Sequence, residues 1–218
     1  MLEKINFSAD DRLYLLGDMI DRGEKSAELL MDVFSRDNVL PLMGNHEMMA
    51  IECLEQILQE VITVNVKDLD FKKILLIQNW MSNGGNATVE SFKQLDTPKR
   101  KYLLEKLKAL PLFADIRVGE NRFVLTHAGL GNFKENKPLN EYTKEELLCQ
   151  RNNYERCFAD ENTFVISGHT PVNSYYEPEI MFKNNHFAID CGCCFGDSLA
   201  CLELETFQEY YIYEADIF

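Results

Sequence analysis

The sequence predicts an α/β fold in which two β-sheets are sandwiched between layers of helices. Strand-like and helix-like segments alternate along most of the 218 residues, and the C-terminal third is rich in strands. Four short apolar runs each end in a segment that contains a Gly and a polar residue able to bind metals. Because Gly lets the backbone turn sharply, these polar residues are expected at the carboxyl edge of a sheet, where open α/β sheets bind ligands.

The first half of the chain is predicted to be mostly helical. Residues 1–11 are expected to form the tail of a helix and a loop, and short apolar runs predict strands at 12–16 and 39–43. Apolar residues at helical spacing predict helices at 24–35, 46–60, 87–94 and 98–110, with a further helix after Asp70. The segment 80–85 contains two glycines and is predicted to be a turn-rich break between helices.

The second half is predicted to be mostly strands. A hairpin is expected around Gly119, and the predicted strands are 115–118, 122–126, 163–167, 186–190, 198–203 and 208–213. One helix is predicted at 143–152, where Thr143 is followed three residues later by Glu146, the spacing of a capping box. Residues 1–218 are expected to form a single domain, since no Pro-, Ser- or Gly-rich linker divides them.

The composition excludes several classes of protein. A formal net charge of −14 argues against binding a nucleic-acid backbone, because such proteins normally present a basic patch. No apolar run approaches the length of a membrane span, and the first seven residues lack a signal-peptide core. The seven cysteines are therefore expected to be reduced thiols in the cytoplasm. Residues 191–194, Cys-Gly-Cys-Cys, lack a paired Cys-x-x-Cys and are expected to be small core residues rather than zinc ligands.

The four apolar runs lead to Asp18, Asn45, His127 and His169. If the strands share one sheet edge, these side chains meet at one place. Carboxylate and amide oxygens together with imidazole nitrogens suit a divalent first-row metal, so the sequence predicts a metal site there. His186 has no such context and is expected to be structural.

The motifs around these residues carry a resemblance. They read Gly-Asp-x-x-Asp-Arg-Gly at 17–23, Gly-Asn-His-Glu at 44–47, His-Ala-Gly at 127–129 and Gly-His-Thr-Pro at 168–171. In this order they resemble the signature of the phosphoprotein phosphatase branch of the calcineurin-like metallophosphoesterases. Trp80 and residues 83–85 are similar to a segment typical of the bacterial and phage members.

The sequence departs from this family signature at its start. The family begins with a strand followed by Gly-Asp-x-His-Gly, and no such motif precedes Asp18. The resemblance therefore implies a metallophosphoesterase-type two-sheet sandwich that lacks its first strand through truncation at the N-terminus. An unpaired strand edge is expected beside the site.

The resemblance also implies cofactors. In the family, the residue corresponding to Asp18 bridges two divalent metal ions, and residues corresponding to Asn45, His127 and His169 complete one of the two sites. Mn²⁺ is the first expectation, with Fe or Zn as alternatives. The other site would be incomplete in this chain.

Four further residues are candidates for catalysis. His46 directly follows a candidate ligand, so its side chain should lie near the metal without binding it, as suits an acid that protonates a leaving oxygen. Asp21 could orient that imidazole, and Arg22 offers a donor fork for phosphate oxygens. Residues 147–151, Leu-Leu-Cys-Gln-Arg, are similar to a Leu-Leu-Trp-x-Arg segment of the family, which makes Arg151 the second candidate arginine and Arg156 its rival.

The expected function is hydrolysis of a phosphate monoester by a metal-activated water. The Asp-Arg-Gly sequence resembles protein phosphatases, so phosphoserine or phosphothreonine in a phosphoprotein is the first substrate expectation. Two alternatives stay open. A bis(5′-nucleosyl)-tetraphosphate hydrolase would prefer dinucleotides, and a catalytically impaired phosphoprotein-binding module would bind phosphate esters without turning them over.

Overall fold

The computed structural model describes residues 1–60, 71–152, 154–155, 158–172 and 178–213, and for 56–60 the backbone alone. Within these residues, no helix combines the length and apolar character needed to cross a membrane. The fold is the expected α/β arrangement, in which a mixed sheet is flanked by helices.

The main sheet has five strands in the order β3-β4-β5-β7-β6. They are β3 (Phe113–Val118), β4 (Asn121–Thr126), β5 (Thr163–Ser167), β6 (Met181–Lys183) and β7 (His186–Ala188). The central strands β4, β5 and β7 run parallel to one another, while β3 and β6 pair antiparallel at the edges. The carboxyl ends of three neighbouring strands therefore meet at one edge.

Two smaller sheets accompany it. Strands β1 (Leu13–Leu15) and β2 (Val39–Pro41) pair in parallel, and β8 (Ser198–Leu202) and β9 (Glu209–Tyr213) form an antiparallel hairpin. Among the described residues β1 pairs with β2 alone, so its other edge is unpaired. A cleft of about 1590 Å³ is lined by residues of both β1 and β8.

Among the described residues of the first 150, the structure has six α-helices. They are α1 (Ser26–Ser35), α2 (Asn45–Glu60), α3 (Phe71–Trp80), α4 (Asn86–Lys93), α5 (Thr97–Lys108) and α6 (Lys144–Leu148). The predicted helices agree with these within a few residues, except at the end of α6. The ambiguous segment before α3 includes residues 61–70, which lie outside the described residues.

The main sheet is covered on both faces. Val124 and Val165 belong to a core that includes the helical residues Leu30, Trp80 and Leu107. On the opposite face Phe123, Leu125, Ile166 and Phe187 form a second core with Leu42. A strand buried on both faces reads as a continuous apolar run, which is why β4 and β5 could be recognised in the sequence.

The predicted helix tail at the start of the chain is a single turn, in which the N–H of Ile5 donates to the Met1 carbonyl and which ends at Asn6 with a positive φ of 51°. The predicted break between helices lies at Gly84, whose φ of 105° interrupts the helical segment that joins α3 to α4. One predicted detail was wrong. The predicted helix 143–152 ends at Leu148, because the carbonyl groups of residues 146 and 147 accept hydrogen bonds from the 128–131 loop.

Strand β6 was not predicted. It joins β7 through a two-residue turn at Asn184 and Asn185, both of which have positive φ. Asn-Asn between two apolar segments is typical of a hairpin turn, so the signal was present in the sequence.

The capping box of α6 was predicted correctly. The Thr143 hydroxyl accepts a hydrogen bond from the backbone N–H of Glu146, and the Glu146 carboxylate accepts one from the backbone N–H of Thr143. We expect Thr143→Ala to lower the free energy of unfolding by about 1 kcal/mol, because one helix N–H loses its partner. Urea unfolding measures this change.

Thr97→Ala is the matched control for this capping prediction. Thr97 is exposed and lies just inside α5, where Asp96 already provides the cap. Equal losses of unfolding free energy in the two variants would contradict a specific role of the Thr143 cap.

Candidate active site

Two glycines bring the ends of β1 and β2 into contact. A Cβ atom added to Gly17 would lie 2.5 Å from the backbone nitrogen of Gly44, and one added to Gly44 would lie 2.2 Å from the Asp18 carboxylate. Any side chain at either position would push the two loops apart. This close backbone approach places Asp18, after β1, beside Asn45, which begins α2.

The main sheet contributes two imidazoles to the same place. His127 directly follows β4 and His169 lies two residues after β5, and these strands are parallel neighbours. The backbone continues the pairing beyond the strands, since the N–H of Gly168 donates to the carbonyl of His127 over 2.8 Å.

The four side chains form a tight cluster. The Nε2 atom of His127 lies 2.9 Å from Oδ1 of Asn45, 3.1 Å from Nδ1 of His169 and 3.4 Å from Oδ2 of Asp18. The Nδ1 atom of His169 is 2.9 Å from the same Asn45 oxygen. Within the described part of the chain, Asp18, His127 and His169 are the group of acidic, His and Cys side chains close enough to hold a metal ion together.

The protons in this cluster point away from its centre. His127 donates its Nδ1 proton to the backbone carbonyl of Leu16 over 2.7 Å, so Nε2 of the neutral ring carries a lone pair. Burial first lowers the pKa of His169, which favours its neutral form. With both rings neutral, two imidazole nitrogens, an amide oxygen and a carboxylate face one another, an arrangement that a divalent cation would stabilise.

The spacing of these atoms fits a divalent ion. Ligands at adjacent corners of an octahedron with bonds of ~2.1 Å lie roughly 3 Å apart, which matches the distances of 2.9 and 3.1 Å among Asn45, His127 and His169. The donor set of oxygen and imidazole nitrogen also suits a first-row divalent metal.

Glu47 holds the loops that present two of these side chains. Its carboxylate is fully buried and accepts hydrogen bonds from the backbone N–H groups of Asp18, Met19 and Gly44, at 2.7–2.8 Å. Burial first, and then the charge of Asp18, raises the pKa of Glu47 to about 7, although the three N–H groups oppose the shift. No role was predicted for Glu47 from the sequence, because its contacts depend on how the two loops pack.

His46 points into a buried polar network beside the cluster. Its Nδ1 atom donates to Oδ2 of Asp21 over 2.6 Å, and the same oxygen accepts the indole N–H of Trp80. The other Asp21 oxygen accepts the Thr88 hydroxyl at 2.6 Å. Burial alone lowers the pKa of His46, but the hydrogen bond to Asp21 and the charges of Asp18 and Asp21 outweigh it, so the net pKa is raised.

The two candidate arginines line the same cleft. The Nη2 atom of Arg22 lies 3.2 Å from Nε2 of His46, and its backbone N–H donates to the Gly84 carbonyl. Arg151 is exposed, and in the described part of the chain no hydrogen bond or ion pair holds its guanidinium. Its rival Arg156 lies outside the described residues.

The backbone at the site departs from ordinary angles. Asp18, Asp21, Arg22 and His169 all have φ between 55° and 69°, in the left-handed region that residues with a Cβ usually avoid. Such strain persists only where the surrounding contacts over-determine it, and it concentrates at functional sites.

The structure also locates one acidic residue, the cysteines of residues 191–194 and the remaining histidine relative to the site. Asp190, at the end of β7, lines the cleft, and burial first raises the pKa of its carboxyl. Cys191 is buried as expected, but Cys193 and Cys194 are exposed, so the prediction that they are core residues was wrong. His186 lies away from the cluster, and its Nε2 is 2.7 Å from the Ser167 hydroxyl.

Residues 1–201 match the model of the calcineurin-like phosphoesterase family. The chain belongs to this family. A calcineurin-like phosphoesterase with the fold described above was the expectation from the four sequence motifs, and the superfamily is confirmed.

The curated relatives of this phosphoesterase carry the name symmetrical bis(5′-nucleosyl)-tetraphosphatase. The one from Buchnera aphidicola subsp. Baizongia pistaciae is 31% identical over 157 residues, which cover 70% of this chain and 46% of that protein. The relative from Vibrio campbellii is 33% identical over a region that covers 60% of this chain and 38% of that protein. The relative from Shigella dysenteriae serotype 1 is 25% identical over a region that covers 97% of this chain and 88% of that protein.

The chain thus spans less than half the length of the first two of these relatives. A solved structure provisionally assigned as a diadenosine tetraphosphatase superposes with a TM-score of 0.62 at 15% identity, covering 97% of this chain and 85% of that one. At this identity the superposition supports the fold alone.

We expect Glu47→Gln to lower the free energy of unfolding by about 1–3 kcal/mol. A glutamine has one acceptor oxygen, so its NH₂ group would face at least one of the three backbone N–H donors now bound by Glu47. Urea unfolding measures the loss. Glu52→Gln is the control, since Glu52 is exposed on the same helix, and an equal effect of the two substitutions would contradict the prediction.

Proposed function

We propose that this phosphoesterase hydrolyses a phosphoric ester or anhydride, with dinucleoside polyphosphates as its first substrate class. The observation that carries the proposal is the convergence of Asp18, Asn45, His127 and His169, with their lone pairs facing one another, beside His46 and Arg22. Three of these atoms lie about 3 Å from one another, which is the spacing of ligands at adjacent corners around one cation.

The proposed cofactor is a divalent cation held by these four side chains. Family membership supports divalent metal ions, and Mn²⁺ remains the first expectation, with a second ion beside Asp18 as in the expected two-metal arrangement. Such cations polarise water and screen the negative charge of phosphoryl oxygens.

The arginines are proposed to bind the phosphoryl group. Arg22 offers a planar donor fork at the edge of the cluster, and the guanidinium of Arg151, which has no partner among the described residues, lines the same cleft. Because the chain carries a net charge of −14, a polyphosphate would be repelled at long range, so local cations are needed to hold it.

His46 is proposed to donate the proton to the leaving oxygen. Asp21 holds the ring in one orientation and favours its charged form. When the ring is charged, its Nε2–H and the Arg22 Nη2–H group, 3.2 Å apart, are both donors, and a phosphoryl oxygen could accept from both. The proton would then pass from Nε2 to the departing oxygen as the phosphorus–oxygen bond breaks.

The substrate class rests on the relatives. Those described above are named symmetrical bis(5′-nucleosyl)-tetraphosphatase, which favours a dinucleoside tetraphosphate over a phosphoprotein. A symmetrical cut of such a molecule adds one water and releases two nucleoside diphosphates. The serine/threonine phosphatase remains the second candidate because of the Asp21-Arg22-Gly23 sequence.

The roles of the imidazoles can be separated by measuring metal and turnover together. We expect His46→Asn to lower kcat by about 10²–10⁴-fold with unchanged bound metal, because the side chain donates a proton but ligates nothing. His169→Ala should lower both. Elemental analysis of the purified protein measures metal content, and parallel loss of metal and turnover in His46→Asn would refute its role as the acid.

The two substrate classes can be compared directly. We expect a higher kcat/KM for diadenosine tetraphosphate than for a phosphoserine peptide at saturating Mn²⁺, measured by phosphate release and nucleotide chromatography. A preference for the peptide would favour the protein phosphatase. Binding of either substrate without turnover would favour the catalytically impaired binding module.

A further inference from the structure

The segment between β7 and β8 carries an aromatic ring to the edge of the candidate active site. Residues Cys193–Phe195 form a single 3₁₀ turn, with Gly192 and Gly196 on either side at φ of 78° and 93°. The N–H of Gly192 donates to the Asp190 carboxylate over 3.0 Å, and that of Phe195 donates to the Gly192 carbonyl over 2.8 Å. The turn is therefore a defined structure anchored at the end of β7.

Phe195 is exposed although it is large and apolar. Solvent reaches 63% of the surface of this residue, so the ring contributes little to the core. The guanidinium carbon of Arg22 lies 5.3 Å from the centre of the ring, a cation–π contact. The neighbouring Cys194 accepts a hydrogen bond from Nη1 of Arg22 through its sulfur over 3.3 Å.

These contacts tie the ring to the group proposed to bind phosphate. The Arg22 fork faces Cys194 with one nitrogen and His46 with the other, and all of these residues line one cleft. One face of the Phe195 ring is in contact with the Arg22 guanidinium, and 63% of the residue's surface is exposed, so a phosphate held by Arg22 would have the ring within reach of the group attached to it. An aromatic surface beside a cationic fork suits a ligand that combines negative charge with a flat, apolar ring system.

We infer that Phe195 is the stacking platform for a nucleobase of the substrate. Stacking of a base on an aromatic side chain contributes binding that is independent of charge and tolerant of base identity. That contribution is useful to a protein whose net charge of −14 repels polyphosphates. The inference deepens the proposed function, on which it rests, by assigning a residue that recognises the nucleoside rather than the phosphate.

The test compares two ligands that differ only by a nucleoside and in which a P–CH₂–P bridge, which water does not cleave, replaces the phosphoric anhydride. They are adenosine 5′-(α,β-methylene)diphosphate and methylenediphosphonate, titrated by calorimetry into the full chain at saturating Mn²⁺. We expect the wild-type protein to bind the nucleoside-bearing ligand more tightly. Phe195→Ala should raise the Kd for that ligand by about 5- to 100-fold and leave the Kd for methylenediphosphonate unchanged.

Three further variants make the result specific. Phe195→Trp should retain the nucleoside preference because it keeps an aromatic face, whereas Phe195→Leu, which is apolar but not aromatic, should lose it. Phe71→Ala is the matched control, since Phe71 is 70% exposed and does not line the cleft. Circular dichroism establishes that each variant is folded.

The outcomes separate the stacking platform from the proposed function. Equal weakening of both ligands in Phe195→Ala would show that the ring acts only through Arg22, and an unchanged preference would show that the base binds elsewhere. Either result overturns the inference. Turnover of diadenosine tetraphosphate by the wild-type protein, measured in parallel, tests the proposed function by itself, because the binding experiment requires no hydrolysis.

Discussion

The buried carboxylate of Glu47 is the contact on which the geometry of the site depends. It binds three backbone N–H groups from the loops that follow β1 and β2, and so joins the two loops at a single buried point. Gly17 and Gly44 touch through their backbones, so no side chain fills the space between them. With Glu47 in place, Asp18 and Asn45 have fixed positions relative to each other, and a metal site needs that precision because its ligands must converge on one point.

The second half of the site is positioned by the main sheet rather than by a side chain. His127 and His169 follow parallel strands that are direct neighbours, and each ring makes a hydrogen bond to a backbone group, of Leu16 and of Cys149 respectively. The bond to Leu16 also links the main sheet to β1. Loops from two separate sheets are thus joined at the point where the candidate ligands meet.

The sequence predicted the elements whose evidence is local. The strands before His127 and His169 are apolar runs of ordinary strand length, and the capping box at Thr143 depends on two residues three positions apart. A bis(5′-nucleosyl)-tetraphosphate hydrolase was only the alternative function predicted from the sequence, because the Asp-Arg-Gly motif resembles protein phosphatases.

The parts of the site that were missed depend on packing between distant segments. Glu47, Trp80 and Thr88 act through contacts with Asp18 or Asp21, which neither spacing nor composition reveals. For the same reason Phe195 was assigned no role and Cys194 was wrongly predicted to lie in the core, since the contact of Cys194 with Arg22 joins residues more than 170 positions apart.

The charges of the molecule explain why recognition of the substrate would be divided among several groups. A chain with 36 acidic and 22 basic residues cannot attract a polyphosphate at long range, so affinity must arise from contacts made at short range. Within the cleft, burial favours the neutral form of His169, and the carboxyl groups of Asp18, Asp21 and Asp190 line the same space. Cations held by the cluster, together with Arg22 and Arg151, would therefore supply the positive potential that the phosphate needs. Because that potential is the same for any phosphate, discrimination between one phosphate ester and another must come from what lies beside it, and the exposed ring of Phe195 is the apolar group in contact with Arg22.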